Sequence, residues 1–76
     1  MSSPAPSRIL QVREIPIELA QLLKFAGLAE SGGSAKQAIV NAQVKVNGVV
    51  EKRKGRKLQA GDQVTYQGQT LTVQQS

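Results

Sequence analysis

The chain has 76 residues, a formal net charge of +5 and an isoelectric point near 10.1. It contains neither cysteine nor histidine, which excludes disulfide staples, Cys/His metal sites and the usual thiol and imidazole catalysts. A chain this short buries only roughly 60% of the surface its unfolded form exposes. With Phe25 and Tyr66 as the only aromatics, aliphatic side chains have to fill the core of a single small domain.

Residues 1–7 hold two prolines and three serines. They lack the charged start and apolar centre of a signal peptide and read as a disordered tail, with the domain spanning 8–76 and a cytoplasmic location expected. Ile9-Leu10-Gln11-Val12-Arg13 has the character of an edge strand. Pro16 keeps Ile15 out of helical geometry and suits a first helical turn. Leu19, Leu22, Leu23 and Ala26 then recur at i, i+3, i+4 and i+7, the spacing of a helix with one buried stripe. Gly27 ends that helix, and Leu28 is expected to pack back on its last turn.

Ser31-Gly32-Gly33 reads as a flexible connection, and Ser34-Ala35-Lys36-Gln37 fits a capping box opening a second helix. Ala35, Ala38, Ile39 and Ala42 give that helix a narrow apolar face. Two such short helices are stable only through mutual packing. Val44-Lys45-Val46-Asn47-Gly48-Val49-Val50 places alternating residues around Asn-Gly, a strong hairpin signal, with Val44 and Val46 facing the core and Lys45 facing solvent. Leu58 returns to the core and Ala60-Gly61-Asp62 turns, the Asp62 carboxylate bonding backbone amides. Val64 and Tyr66 alternate, Gln67-Gly68 turns, and Leu71 and Val73 alternate again. The order predicts an α+β fold: two short packed helices followed by a small antiparallel sheet of three or four strands.

Five of the ten positive charges fall in Lys52-Arg53-Lys54-Gly55-Arg56-Lys57. At physiological ionic strength the Debye length is about 8 Å, so charges this close act on a ligand as one patch. Arg offers bidentate donors and Lys a point charge, both suited to phosphate oxygens. Lys36 and Lys45 are expected on exposed faces beside this run. Gly32-Gly33-Ser34 either binds a phosphate at the helix start or merely connects. The Gly-Lys-Ser/Thr ending of a P-loop is absent. Glu14, Glu18, Glu30, Glu51 and Asp62 are scattered, with no spacing of a catalytic carboxylate pair or a metal cage. Tyr66 belongs to the core, Asn47 to its turn before any ligand, Lys24 and Arg13 read as ordinary solubilising charges, and Arg8 reads as part of the tail. No apolar run approaches the roughly 20 residues of a membrane helix.

From about Ile17 to Tyr66 the chain resembles the S-four RNA-binding domain, and within that family its small stand-alone bacterial members. The resemblance lies in Leu19-x-x-Leu22-Leu23-x-x-Ala26-Gly27-Leu28-Ala29, Ser34-x-Lys36-Gln37-x-Ile39, Val44-Lys45-Val46-Asn47-Gly48 and Leu58-Gln59-Ala60-Gly61-Asp62. It implies an L-shaped helix–helix–strand motif that grips structured RNA, ribosomal or transfer RNA, through Ser34, Lys36, Gln37, Lys45 and Asn47. Charge and position add Lys52, Arg53, Lys54, Arg56 and Lys57. Many relatives carry arginines at the positions of Gly32 and Gly33, and glycine at the position of Ala42, where Asn41 is expected to take over the left-handed turn. The expectation is an RNA-binding monomer with no cofactor, no metal, no membrane contact and no catalysis. The alternative is a protein-interaction module docking an acidic partner through the basic loop.

Overall fold

Strands β1 (Ser7–Val12) and β7 (Gln69–Gln75) lie side by side and parallel in the computed structural model, which describes residues 7–76. Of the tail expected over 1–7, residues 1–6 lie outside the described residues, and Ser7 pairs with Thr70. The remaining elements are β2 (Ile17–Glu18), α1 (Leu19–Phe25), α2 (Gly32–Val40), β3 (Val44–Val46), β4 (Val49–Val50), β5 (Lys57–Leu58) and β6 (Gln63–Tyr66). One sheet has the order β1-β7-β6-β3-β4, antiparallel except for β1 on β7, and β2 pairs with β5 in a second, two-stranded sheet. The α+β architecture matches the expectation. The sheet is mixed because the early edge strand joins the last strand, which has no hairpin partner on that side.

Side-chain alternation sets which sheet face is covered. Val44 and Val46 on β3, Val64 on β6 and Val73 on β7 are buried with Leu19, Leu22 and Leu23 of α1 and Ala35, Ala38 and Ile39 of α2. Fully burying a Leu or Val stabilises by about 1.5–3 kcal/mol, so this layer supplies most of the driving force. Lys45 and Thr65, paired across β3 and β6, point to the opposite, helix-free face. Tyr66 is half-buried against the core, as expected.

Both helices end in the same way. The N–H groups of Gly27 and Leu28 bond the carbonyls of Lys24 and Leu23 at 3.0 Å each, and those of Ala42 and Gln43 bond Ile39 and Ala38 at 3.1 and 3.0 Å. Each is a Schellman closure whose pivot needs a left-handed residue. Gly27, at φ 77°, fills it as expected. In α2 the pivot is Ala42 itself, at φ 62°, whereas Asn41 stays at φ −83°. The hydrogen-bond pattern fixes the pivot one residue beyond Asn41, so Ala42 is exposed and absent from the apolar face assigned to it.

The helix starts also differ from expectation. Ser31, not Ser34, caps α2: its Oγ accepts the Ser34 N–H at 3.1 Å, and Gly32 and Gly33 form the first turn rather than a connector. The cap in place leaves no role for the Ser34–Gln37 box. α1 starts at Leu19, because Ile17 pairs with Leu58 and the Leu19 N–H bonds the Arg56 carbonyl at 2.8 Å. Tertiary pairing thus outweighs the local signal of Pro16. Arg8, read as part of the tail, instead lies in β1 and donates to the Ala26 carbonyl at 2.8 Å at the end of α1. No helix among the described residues is long and apolar enough to cross a membrane.

Candidate nucleic-acid interface

The basic segment leaves β4 and is tied down at both ends. The Glu51 N–H bonds the Val44 carbonyl at 3.0 Å, continuing the β3–β4 pairing, and the Arg56 carbonyl takes the first amide of α1. In between, Arg56 N–H to Arg53 O at 3.3 Å closes a turn over Lys54-Gly55. A loop with this many backbone anchors has a defined backbone path.

Glu51 fills its centre and is 8% exposed, the one buried charged residue among the described residues. Its Oε2 accepts the Arg53 backbone N–H at 3.2 Å and the Arg53 Nε–H at 3.1 Å. Its Oε1 accepts Arg53 Nη2 at 3.1 Å and Arg56 Nη1 at 2.8 Å. Four donors saturate the lone pairs of the carboxylate, which a buried charge requires. The Arg53 side-chain hydrogen bonds, foremost, hold the Glu51 carboxyl down to about 2; burial opposes them, while the Arg53 backbone amide and Arg56 reinforce them. The same pairing pushes the Arg53 guanidinium up. Lys57 Nζ reaches Glu18 Oε1 at 3.3 Å between two well-exposed side chains, a contact worth little to stability.

Three of the five cations in the run therefore face a carboxylate, while Lys52 and Lys54 have no ion-pair partner among the described residues. Lys52 and Lys54 are exposed, and the Arg53 side chain, 73% exposed, keeps an outer edge towards solvent. Sequence reasoning treated Glu51 as one of five scattered acids and missed it. The available signal was the Glu51-x-Arg53 spacing, which puts both side chains on one side of an extended backbone.

The other sequence-predicted residues separate into layers. Ser34, Lys36 and Gln37 lie exposed along α2, while Lys45 projects from the helix-free face of β3. Asn47 is committed to the scaffold. Its N–H bonds the Gln63 carbonyl at 2.7 Å, its Oδ1 accepts the Gln63 N–H at 2.9 Å, and its Nδ2 donates to Asp62 Oδ1 at 3.2 Å. Asp62 Oδ2 accepts the Gln59 N–H at 2.8 Å, the backbone contact expected of it. Asn47 and Gly48, at φ 52° and 84°, form the anticipated two-residue turn. A surface groove of about 420 Å³ beside Val12, Arg13, Pro16, Ile17 and Phe25 contains none of these residues. Among the described residues no group of three or more His, Cys, Asp and Glu side chains could hold a metal ion.

The model of the S4 domain family matches residues 10–74. The chain belongs to the S4 domain family. Its sequence is 49% identical over 57 residues to the "Putative RNA-binding protein YbcJ" of Escherichia coli strain K12, covering 75% of this chain and 81% of that protein. It is 44% identical over 52 residues to the "Probable ribosome maturation protein RlbA" of Bacillus subtilis strain 168, covering 68% and 73%. The solution structure of E. coli YbcJ, described as revealing an αL motif involved in RNA-binding, superposes with a TM-score of 0.64 at 43% identity, over 97% of this chain and 91% of that one. This S4 domain thus has the predicted fold family and architecture, with matched residues reaching beyond 17–66 at both ends.

Proposed function

We propose that this S4-domain protein is a cytoplasmic, monomeric and non-catalytic RNA-binding protein that recognises folded RNA, ribosomal or transfer RNA, through phosphate contacts from its basic loop. Lys52 and Lys54 supply the uncompensated charge, and Arg53, Arg56 and Lys57 supply oriented donors. Ser34, Lys36 and Gln37 on α2 are further contacts, while Lys45, on the opposite sheet face, and Asn47, committed to its turn, are secondary to them. The observation that carries this reading is the loop itself: a cationic segment tied at both ends in a family whose members YbcJ and RlbA bear names tied to RNA and the ribosome. Fixed backbone and side-chain positions lower the ordering cost that a floppy basic tail would meet on binding.

The test is charge reversal where no carboxylate intervenes. Lys52→Glu with Lys54→Glu should keep the melting temperature of the parent and lose most affinity for transfer RNA in fluorescence anisotropy. With roughly three to five phosphates engaged, raising salt from about 50 to 200 mM should weaken the parent about tenfold to a hundredfold. Undiminished RNA retention by the folded double variant, or a flat salt response, would refute the assignment.

A further inference from the structure

Electrostatic counting makes Glu51 a defect in a phosphate-binding loop, since it cancels a positive charge at the centre of the run. The geometry points to the reverse: we infer that Glu51 is a positioning residue for RNA recognition, holding the Arg53 and Arg56 guanidinium groups as a preset pair of phosphate clamps. The inference rests on the RNA-binding reading above and says what makes that site prefer folded RNA.

The argument is an inventory of donors. Each guanidinium carries five N–H groups in a fixed planar fork. Arg53 uses its Nε–H and one Nη2 hydrogen on Glu51, and Arg56 uses one Nη1 hydrogen. The remaining hydrogens, on Arg53 Nη1 and Nη2 and on Arg56 Nη1, Nη2 and Nε, have no partner among the described side chains. Arg53 grips both oxygens of the carboxylate, Arg56 is tethered to Oε1 by one hydrogen bond, and the carboxylate itself is held by burial and by the Arg53 backbone amide. The two forks therefore meet at Oε1, which accepts from both, with side-chain relative exposures of 73% and 34%. A rigid pair of donors favours phosphates already held at the matching spacing, as in a folded RNA, because a flexible strand must first give up conformational freedom to present them. A flexible single strand can adapt to freely moving arginines equally well, so it gains nothing from the preset pair.

Glu51→Gln separates position from charge, because it keeps the shape and raises the net charge by one. The probes are unfractionated transfer RNA and polyuridylate, read by anisotropy at one salt concentration, with the fold checked by thermal melting. Transfer-RNA affinity should fall on the order of tenfold, because two long side chains must now be ordered on binding, while polyuridylate binding stays level or tightens. On an Arg53→Gln/Arg56→Gln background the same change should cause no further loss. Equal or tighter transfer-RNA binding by Glu51→Gln, or an equal loss on both probes, would overturn the inference. If Glu51→Gln does not fold, Arg53→Lys with Arg56→Lys retains every charge and removes both planar forks. It should show the same selective loss, and undiminished transfer-RNA affinity would overturn the inference. The Lys52→Glu/Lys54→Glu variant distinguishes the two levels: if it leaves both probes bound, the RNA reading itself fails, independently of Glu51.

Discussion

The helix-and-sheet core and the loop from Glu51 to Lys57 are held together by opposite means. The core is a cluster of aliphatic side chains, and among the described residues no buried side-chain nitrogen or oxygen lacks a hydrogen-bond partner. The loop contributes almost nothing apolar and is organised around one carboxylate with four donors. Burial is non-directional, so a core tolerates changes that conserve volume. A hydrogen-bonded ion cluster is directional, so the loop depends on the length and charge of single side chains. On the proposed reading, stability and recognition thereby rest on different chemistry within 76 residues.

The sharpest way to break this division is a cavity in the core. Leu23 is fully buried in α1, and Leu23→Ala should cost about 2–5 kcal/mol. A domain of this size holds roughly 4–11 kcal/mol in total, so the loss is a large share of it. Urea denaturation should show the midpoint falling steeply, with RNA affinity per folded molecule unchanged. A folded Leu23→Ala protein that binds RNA more weakly at saturating stability would mean that core and loop are coupled.

Acid should open the loop before it touches the core. The Glu51 carboxyl is held down to about 2 from an ordinary 4.5. A depressed carboxyl stabilises the fold above its unfolded value and loses that contribution as pH falls from about 4.5 through about 2. NMR should show the Glu51 carboxyl and the Arg53 Nε–H titrating together near the lower value, with core methyl signals of Leu22 and Val64 unmoved. A Glu51 midpoint near 4.5 would mean that the clamp does not persist in solution.

The same division decides what could be read from the sequence. Periodicity located Leu19, Leu22, Leu23, Ala38, Ile39, Val44, Val46, Val64 and Val73 in the core, because burial repeats with the geometry of helix and strand. The Asn47-Gly48 and Gln67-Gly68 turns were legible for a similar reason, since positive φ restricts residue choice. Pairings between distant segments were not. Ile17 with Leu58, β1 with β7, and Arg8 with the Ala26 carbonyl depend on the completed fold. The cations of the candidate interface were evident from composition, but what sets Arg53 and Arg56 apart from Lys52 and Lys54, unpaired among the described residues, is Glu51, which has no periodic signature.

Ala42 tests a smaller point within the helix-and-sheet region, where α2 hands over to β3. A non-glycine residue in the left-handed conformation costs roughly 1–2 kcal/mol, and glycine gives back part of that as unfolded-chain entropy. Ala42→Gly should therefore raise stability by about 1 kcal/mol or slightly less, with RNA binding unchanged, because the Ala42 side chain is exposed and packs on nothing the structure needs. Asn41→Gly should not help, since Asn41 already has an ordinary φ of −83°. A gain at Asn41 and none at Ala42 would move the helix end.

Gly32 gives the finest comparison, between charge added on α2 and charge already arranged in the loop. A Cβ at Gly32 would meet no atom within 4 Å, and at Gly33 only Ser31 Oγ at 3.8 Å. Neither φ is positive, so no backbone strain opposes a side chain there. Gly32→Arg should leave the fold intact and place a cation beside the open amides of the first turn, where a phosphate would also be favoured. A positive charge at a helix start opposes the helix dipole by a few tenths of a kcal/mol, and the loss of a helical glycine offsets this. The net stability change should be near zero. RNA affinity should rise by about one phosphate contact, a few-fold at moderate salt, and the salt dependence should steepen by roughly one counterion. The arginine has no carboxylate to orient it, so transfer RNA and polyuridylate should gain equally. A gain confined to transfer RNA would mean that the α2 terminus, and not only the Glu51 loop, reads the shape of the RNA.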